Sequence, residues 1–519
     1  MSGTPAREPQ KSTYVPDWLQ KRADLSGGRV AVKDAATGQQ WTYAAWNRQV
    51  NRTANFLHHL GVRQGDRVAM YATNCMEYLD ALFACNKTGA VLQNVNWRLT
   101  VPELEGVLND AGPKVLIYSA EFVEQVNALR QRVPGILHFI ALTQKADPHD
   151  GTFHQRDSLP DTWTGFPDLH DDSPWVICYT GGTTGLPKGA ILTYGNITWN
   201  SVNAVMSVGL DQSDVYLLSM PLFHTGGLNI YTLPLFHVGG KVIITKAFDA
   251  DEAMHLIAEE GVTVYLAVPT MYLMMQQSPN WDQADFSSIK AIFSGGAPCP
   301  SSIYEAFWAK GVDLFRVSYG LTEAGPYNIW MPDADIKRKP GAIGVPVMHA
   351  EVTIVNPHGV VVGPGEPGEL LTRGPHITPG YWNRPDATRT AITDGWLHTG
   401  DLAVRDEEGY ISVIGRAKDM IISGGENIYP AEIENVIQGH PAVAEVAVIG
   451  VPDEKWGEVG HAIIALKKGQ SLTPDTIMAY MGERLAKYKI PRSVQFVEAI
   501  PKTAVGKIDK KMLAAQFGR

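Results

Sequence analysis

Cysteine is scarce in this sequence and carries no pairing pattern. Four cysteines in 519 residues, Cys75, Cys85, Cys178 and Cys299, are scattered without a CxxC pair, which argues against a disulfide framework and a structural zinc. No segment reads HExxH or GxSxG, so zinc-protease and α/β-hydrolase readings have no support. No apolar run approaches the roughly 18 residues of a membrane span. The first ten residues lack the apolar stretch of a secretion signal, and Gln516–Arg519 is not a peroxisomal tripeptide. A cytoplasmic protein without a transmembrane segment is therefore expected. Positive charge is also in deficit. Forty-four Lys and Arg against 54 Asp and Glu leave a net charge of −10, which argues against general attraction to nucleic acid or anionic lipid but permits a small basic pocket for phosphates.

What is present fits a large globular enzyme. Hydrophobic residues make up 45% and charged residues 19%, too apolar for a disordered chain. Helical spacing over 41–60 (Trp46, Val50, Ala54, Phe56, Leu57, Leu60) ends at Gly61, and residues 65–71 read as a turn and a strand. A helix over 76–87 and strands at 89–93 and 114–118 continue a βαβα rhythm, which predicts a mostly parallel, helix-covered sheet. Further strands are expected at 175–179, 190–192, 215–220, 241–244, 262–268 and 291–293, with a helix over 250–260. After Gly341 the texture changes to short strands with Gly/Pro turns (351–355, 360–362, 368–372), a small β-rich subdomain. The last hundred residues read as an α+β module: helices 431–438, 473–485 and 510–517, strands 443–450, 461–465 and 494–496.

The strongest local signal is Tyr179–Gly189. Thr180, Gly181, Gly182, Thr183, Thr184, Gly185, Lys188 and Gly189 place four glycines, three threonines and a lysine within eleven residues. Glycines let successive backbone N–H groups converge on an anion, hydroxyls add donors, and Lys188 adds charge. It is not a Walker loop: Pro187 precedes the lysine, Gly189 follows it, and the next segment reads as a strand rather than a helix.

That loop and six later motifs resemble the acyl-adenylate-forming superfamily of acyl-CoA and aryl-CoA ligases, adenylation domains and luciferases. The later motifs are Pro221–Gly227, Ser294–Pro298, Tyr319–Gly325, Gly395–Leu402 with Gly415–Asn427, and Pro501–Ile508. The resemblance runs in order from about Trp41 to Ile508. It implies an α/β fold with a large N-terminal domain (1–417) that binds ATP and the acyl group and includes the β-rich subdomain. A mobile C-terminal α+β domain (418–519) would carry the catalytic lysine.

The resemblance also assigns roles. Ser294–Pro298, with Gly296, Ala297 and Pro298, and Tyr319 would bind the adenine, the Tyr319 ring stacked on it, and Ser318 and Gly320 would belong to the ATP- and AMP-binding set. Thr322 would donate to the α-phosphate, and Thr180 and the loop to the phosphates. Glu323 would bind Mg²⁺ beside ATP. Asp401 would accept from both ribose hydroxyls, Arg416 would hold ribose and phosphate, and Lys418 would be the hinge. Lys507 would be the catalytic lysine of adenylation, with Thr180, Glu323 and His224 beside it. Ser423, Gly424 and Gly425 would line a pantetheine channel. An acyl pocket would be formed by His224, Leu228, Asn229, Met271, Gly296 and Gly320. Taken singly, several have ordinary readings as well: Tyr319 as a core tyrosine, Glu323 as a solvated helix end, Asp401 as a turn residue, and Lys507 as a surface lysine.

The implied reaction joins a carboxylic acid to a thiol at the expense of ATP. The carboxylate attacks the α-phosphorus and expels pyrophosphate, and the CoA thiol then displaces AMP. His224 stands where amino-acid-activating members usually carry aspartate, which disfavours an amino acid substrate. The apolar pocket set suits a medium- or long-chain fatty acid or an aryl acid. A stand-alone adenylation protein that loads a carrier protein is the alternative, and a homodimer is compatible with the reading. Departures from the family pattern are Gly181, where serine or threonine is common, Ser318, where glycine is common, and Ile422, near which some relatives carry a lysine.

Overall fold

Two compact units divide the chain. One is built from Met1–Phe248, Thr322–Pro326 and Gly374–Arg389, the other from Asp249–Leu321, Tyr327–Arg373 and Thr390–Arg519. The structure, a computed structural model, describes residues 15–165, 167–180, 187–296, 299–317, 319–423, 426–503 and 507–518.

The first unit holds a seven-stranded sheet in the order Gly151–Thr152, His138–Ala141, Val115–Tyr118, Arg67–Tyr71, Val91–Asn94, Pro174–Thr180, Lys188–Thr193. All neighbours are parallel except the last pair, an antiparallel hairpin that sets Thr180 opposite Lys188. Its central strands, Arg67–Tyr71, Val91–Asn94 and Val115–Tyr118, are buried nearly end to end, as expected of strands covered on both faces. Val215–Leu218, Lys241–Ile244 and Val30–Asp34 form a second parallel set, with Gln40–Thr42 added antiparallel. The helix predicted over 41–60 spans Tyr43–His59 because its first residues are used in that strand and Thr42 caps the N-terminus, accepting from Ala45 N–H. Met76–Thr88 stops at Gly89, whose φ of +70° and contact with Gln64 leave no room for a side chain. Helices Val101–Ala111 and Tyr194–Val208 escaped the sequence reading. Buried residues of Tyr194–Val208 fall on more than one face, so no single apolar stripe marks it.

The second unit has parallel strands Val264–Ala267, Ala291–Ser294 and Phe315–Val317. A separate antiparallel sheet follows: Glu351–Val355, Gly368–Arg373, Trp396–Arg405 and Ile411–Arg416. The strand expected at 360–362 is reduced to one bridge between Val355 and Val361. Asn356 takes the N–H groups of His358 and Val360 on its side-chain oxygen, so the chain turns instead of extending. Near the C-terminus Val443–Asp453 pairs with Gly457–Leu466, and Ser493–Val497 adds in parallel. The two-residue alternation of this sheet serves two cores. Val446 and Val448 pack with Ile433, Ile437, Ile477 and Met481, while Ala447 and Ile449 pack with Ile500 and Leu513. This is why helices Pro430–Gln438, Pro474–Gly482 and Lys510–Phe517 are needed to cover it. Among the described residues no helix is long and apolar enough to cross a membrane.

Candidate active site

In the first unit a strand precedes and a strand follows the glycine- and threonine-rich segment, as its sequence predicts, and the structure pairs the two antiparallel as a hairpin. Gly181, Gly182, Thr183, Thr184 and Gly185 lie outside the described residues, as do Ala297, Pro298, Ser318, Gly424 and Gly425. The hairpin ends at Thr180, whose Oγ1 donates to Glu323 Oε1 (3.2 Å) and to the Lys188 carbonyl (3.3 Å). Glu323 sits in the short turn Thr322–Ala324 and is 9% exposed. The Tyr381 hydroxyl donates to the same Oε1 at 2.9 Å. Burial, then the Glu323 charge, push the Tyr381 phenol upward, so it is a donor at any working pH. The Lys188 ammonium lies 5.2 Å from the centre of the Tyr381 ring, within cation–π reach.

Glu323 thus receives its hydrogen bonds from neutral hydroxyls. The two hydroxyls fix Oε1 in place and bring no opposing charge of their own. Among the described residues no group of three or more His, Cys, Asp or Glu gathers into a metal site. A lone carboxylate of this kind fits Mg²⁺, which takes one or two protein oxygens and completes its shell with phosphate oxygens and water.

The acyl-pocket candidates fall in both units. His224, Leu228 and Asn229 are in the first; Met271, Gly296 and Gly320 are in the second. His224 Nδ1 accepts from Gly226 N–H (3.0 Å), which puts the ring proton on Nε2. A π-helical turn, Leu228–Thr232, follows and is fully buried, a distortion often found at functional sites. Asn200 donates to its Asn229 carbonyl at 2.7 Å, and Asn229 Nδ2 donates to Thr225 Oγ1 at 2.9 Å. A side chain at Gly227 would meet the Pro221 carbonyl at 2.3 Å, so the sharp entry into this turn requires glycine. Met271 is half-buried in the first turn of Pro269–Gln277, Gly296 has φ +82°, and Gly320 is exposed.

The second unit gathers Tyr319, Asp401 and Arg416. Asp401 and Arg416 face each other across the strands Trp396–Arg405 and Ile411–Arg416. Arg416 Nε lies 2.6 Å from Asp401 Oδ1, and the Tyr319 hydroxyl donates to Oδ2 at 2.6 Å. Thr399 Oγ1 accepts from the Asp401 backbone N–H (3.0 Å) and Arg416 Nη1 donates to the Thr399 carbonyl (3.3 Å). Asp401 is 5% exposed. Burial raises its pKa, against the opposing effects of Arg416, the Tyr319 hydrogen bond and the Lys507 charge. The Tyr319 phenol is pushed well up by burial and by Asp401. Lys507 is exposed and its carbonyl accepts from Thr503 N–H (2.7 Å), and its charge lowers the Asp401 pKa. Lys418 is exposed in the turn Ala417–Asp419, and Ser423 ends a strand opposite Gly457.

A family model for AMP-binding enzymes matches residues 19–382, and one for the AMP-binding enzyme C-terminal domain matches residues 432–507. The chain belongs to the AMP-binding enzyme family. It is 42% identical to a feruloyl-CoA synthase of an Amycolatopsis species over 505 residues, 96% of this chain and 98% of that protein. It is 36% identical to the long-chain-fatty-acid–CoA ligase FadD13 of Mycobacterium tuberculosis over 96% of this chain and 97% of that one. Among solved structures, o-succinylbenzoate CoA synthetase (MenE) from Bacillus subtilis in complex with its acyl-adenylate superposes with a TM-score of 0.86 at 32% identity, covering 96% and 98% of the two chains. As a member of this family the chain is an α/β adenylate-forming enzyme, an AMP-forming acid–thiol ligase.

Two contributors escaped the sequence reading. Tyr381 lies in a Gly/Pro-bounded loop without reactive neighbours, and only its aromatic ring next to Gly380 marked it. Thr399 was part of a quoted motif, but its role in holding the Asp401 backbone appears only in the hairpin.

Proposed function

We propose that this enzyme converts a hydrophobic carboxylic acid to its CoA thioester through an acyl-adenylate, with an aryl acid preferred over a fatty acid. The observation that carries the reading is the pair of prepared carboxylates: Asp401 fixed between Arg416 and Tyr319, and Glu323 held by Thr180 and Tyr381. One matches the two hydroxyls of a ribose, the other a cation on a polyphosphate. The aryl preference rests on the higher identity to the feruloyl-CoA synthase than to the fatty-acid ligase.

Asp401 accepts hydrogen bonds from the ribose hydroxyls, and Tyr319, oriented by its own hydroxyl, offers its ring to the adenine. Thr180, the glycine-rich loop and Lys188 hold the phosphates. Glu323 would hold Mg²⁺, which would supply Lewis-acid stabilisation of phosphate charge. Lys507 donates to the oxygens on which charge grows as the substrate carboxylate attacks the α-phosphorus and pyrophosphate leaves. The C-terminal domain, 418–519, then turns about Lys418, withdraws Lys507 and brings Ser423–Gly425 to the site, and the CoA thiol displaces AMP. His224 gates the acyl pocket.

Acid-dependent pyrophosphate release from ATP, measured over hydroxycinnamic, benzoic, fatty and amino acids with and without CoA, tests this. Release is expected with aryl acids first and fatty acids second, accompanied by acyl-CoA. Release that never yields a thioester with CoA would move the function to carrier-protein loading. Release only with amino acids would overturn the pocket assignment.

A further inference from the structure

The segment that carries Tyr381 is fastened on both sides of its ring. Around the ring, Gly380 O accepts from Ile191 N–H (3.0 Å), Tyr381 bridges Ala190, and Trp382 N–H donates to the Gly189 carbonyl at 2.8 Å. The loop is therefore laid as an extra strand along Lys188–Thr193, the strand that begins at the phosphate lysine. A side chain at Gly380, with φ +142°, would meet Thr388 at 2.3 Å, so the backbone there is packed against the following helix. Downstream, Asn383 turns the chain at φ +52° and donates to the Asp110 carbonyl (3.0 Å), while Arg384 pairs with the Asp110 carboxylate at 2.6 Å. The other Asp110 oxygen accepts from the Tyr179 hydroxyl (2.8 Å), on the strand that ends at Thr180. The backbone of Glu323 is tied to the same segment, with Thr378 N–H donating to its carbonyl at 2.8 Å.

Tyr381 thus has a fixed place with its two ends in different chemistry. We propose that Tyr381 is a positioning residue for the ATP–metal half of the site: its hydroxyl restrains Oε1 of Glu323, leaving Oε2 to the cation, while its ring face seats the Lys188 ammonium for the phosphates. One side chain thus touches a carboxylate through its hydroxyl at 2.9 Å and an ammonium 5.2 Å from its ring centre. A direct pair between those two groups would neutralise the charge each needs for its ligand. The proposal rests on Glu323 as the metal-binding carboxylate.

The test uses the full-length protein with Tyr381→Phe, Tyr381→Leu and Glu323→Ala. Mn²⁺ binding in the presence of ATP is read by electron paramagnetic resonance, and metal-free ATP binding by calorimetry in EDTA. Tyr381→Phe keeps the ring and is expected to weaken Mn²⁺ binding about tenfold, the value of a hydrogen bond to a charged group, with metal-free ATP binding within about twofold of the parent. Tyr381→Leu removes the ring as well and is expected to weaken both. Tyr381→Phe added to Glu323→Ala should cause no further loss of Mn²⁺ affinity. The proposal is overturned if Tyr381→Phe binds Mn²⁺ like the parent while Glu323→Ala does not, or if it loses metal-free ATP binding to the same degree as metal. Unchanged Mn²⁺ binding in Glu323→Ala removes the carboxylate assignment itself. Thermal unfolding of each variant separates these outcomes from misfolding.

Discussion

Asp401 and Glu323 are both nearly buried carboxylates in regions assigned to ATP, and they are built in opposite ways. Asp401 lies on a ladder directly opposite Arg416, so its charge is met by a guanidinium, with a phenol on its second oxygen. Glu323 is assembled from distant segments, Thr180 and Tyr381 being 143 and 58 residues away, and its donors are neutral hydroxyls. Under the proposed function the difference separates two tasks. A carboxylate that accepts from neutral hydroxyls can be compensated by a nearby cation without losing its function. One that must attract a cation is better held by groups that fix its position and leave its charge uncancelled.

The largest expected effect tests the polar partners of the first region. Lys507→Ala is expected to slow adenylation about 10²- to 10³-fold, the usual loss on removing one preorganised donor, and to leave thioester formation from supplied acyl-adenylate close to the parent rate. Measuring the two half-reactions separately decides it; equal losses would remove Lys507 from the first step. An intermediate effect tests the second region. Glu323→Ala should raise the Mg²⁺ concentration for half-maximal pyrophosphate release about tenfold, and an unchanged metal dependence would erase the contrast drawn above.

The smallest effect is a shift along the pH axis. Burial raises the Asp401 pKa and Arg416 is the foremost group holding it down. Arg416→Gln should raise it further. Because the ribose hydroxyls need the ionised form, the acid-side loss of ATP affinity should then begin at higher pH, while affinity at alkaline pH changes least. A calorimetric ATP titration from acid to alkaline pH checks this, and a uniform loss at every pH would show that Arg416 acts through its own contacts with the nucleotide.

Much of the first region was legible along the chain. The motif Gly395–Leu402 and the arginine of Gly415–Asn427 are close in sequence, and a hairpin brings such segments together by short-range rules. The motif named Asp401 and Arg416, and the hairpin supplied their pairing. What was missed there is the anchoring of Tyr319: the sequence offered a ring for stacking, and the fold uses the hydroxyl to orient it. The second region was legible only in part. Thr180, Lys188 and Glu323 stand in motifs, but Tyr381 looks like an ordinary loop aromatic because its hydrogen-bond partner is remote in the chain. The strand expected at 360–362 failed for a related reason. Local apolar character pointed one way, and the Asn356 side chain captured the backbone donors that a strand would have used.

By itself the sequence determined the alternation of strands and helices, the strands on either side of the glycine- and threonine-rich segment and the inventory of charged groups. Each of these depends on near neighbours: periodicity, turn residues, and the spacing of donors in a motif. Only the tertiary structure decided which carboxylate is paired with a guanidinium and which is held by neutral hydroxyls. It also decided that Tyr381 joins Glu323 to Lys188. Hydrogen bonds and ion pairs act over a few ångströms of space whatever the distance along the chain. Which groups share those few ångströms is fixed by how strands pair and loops are laid on them.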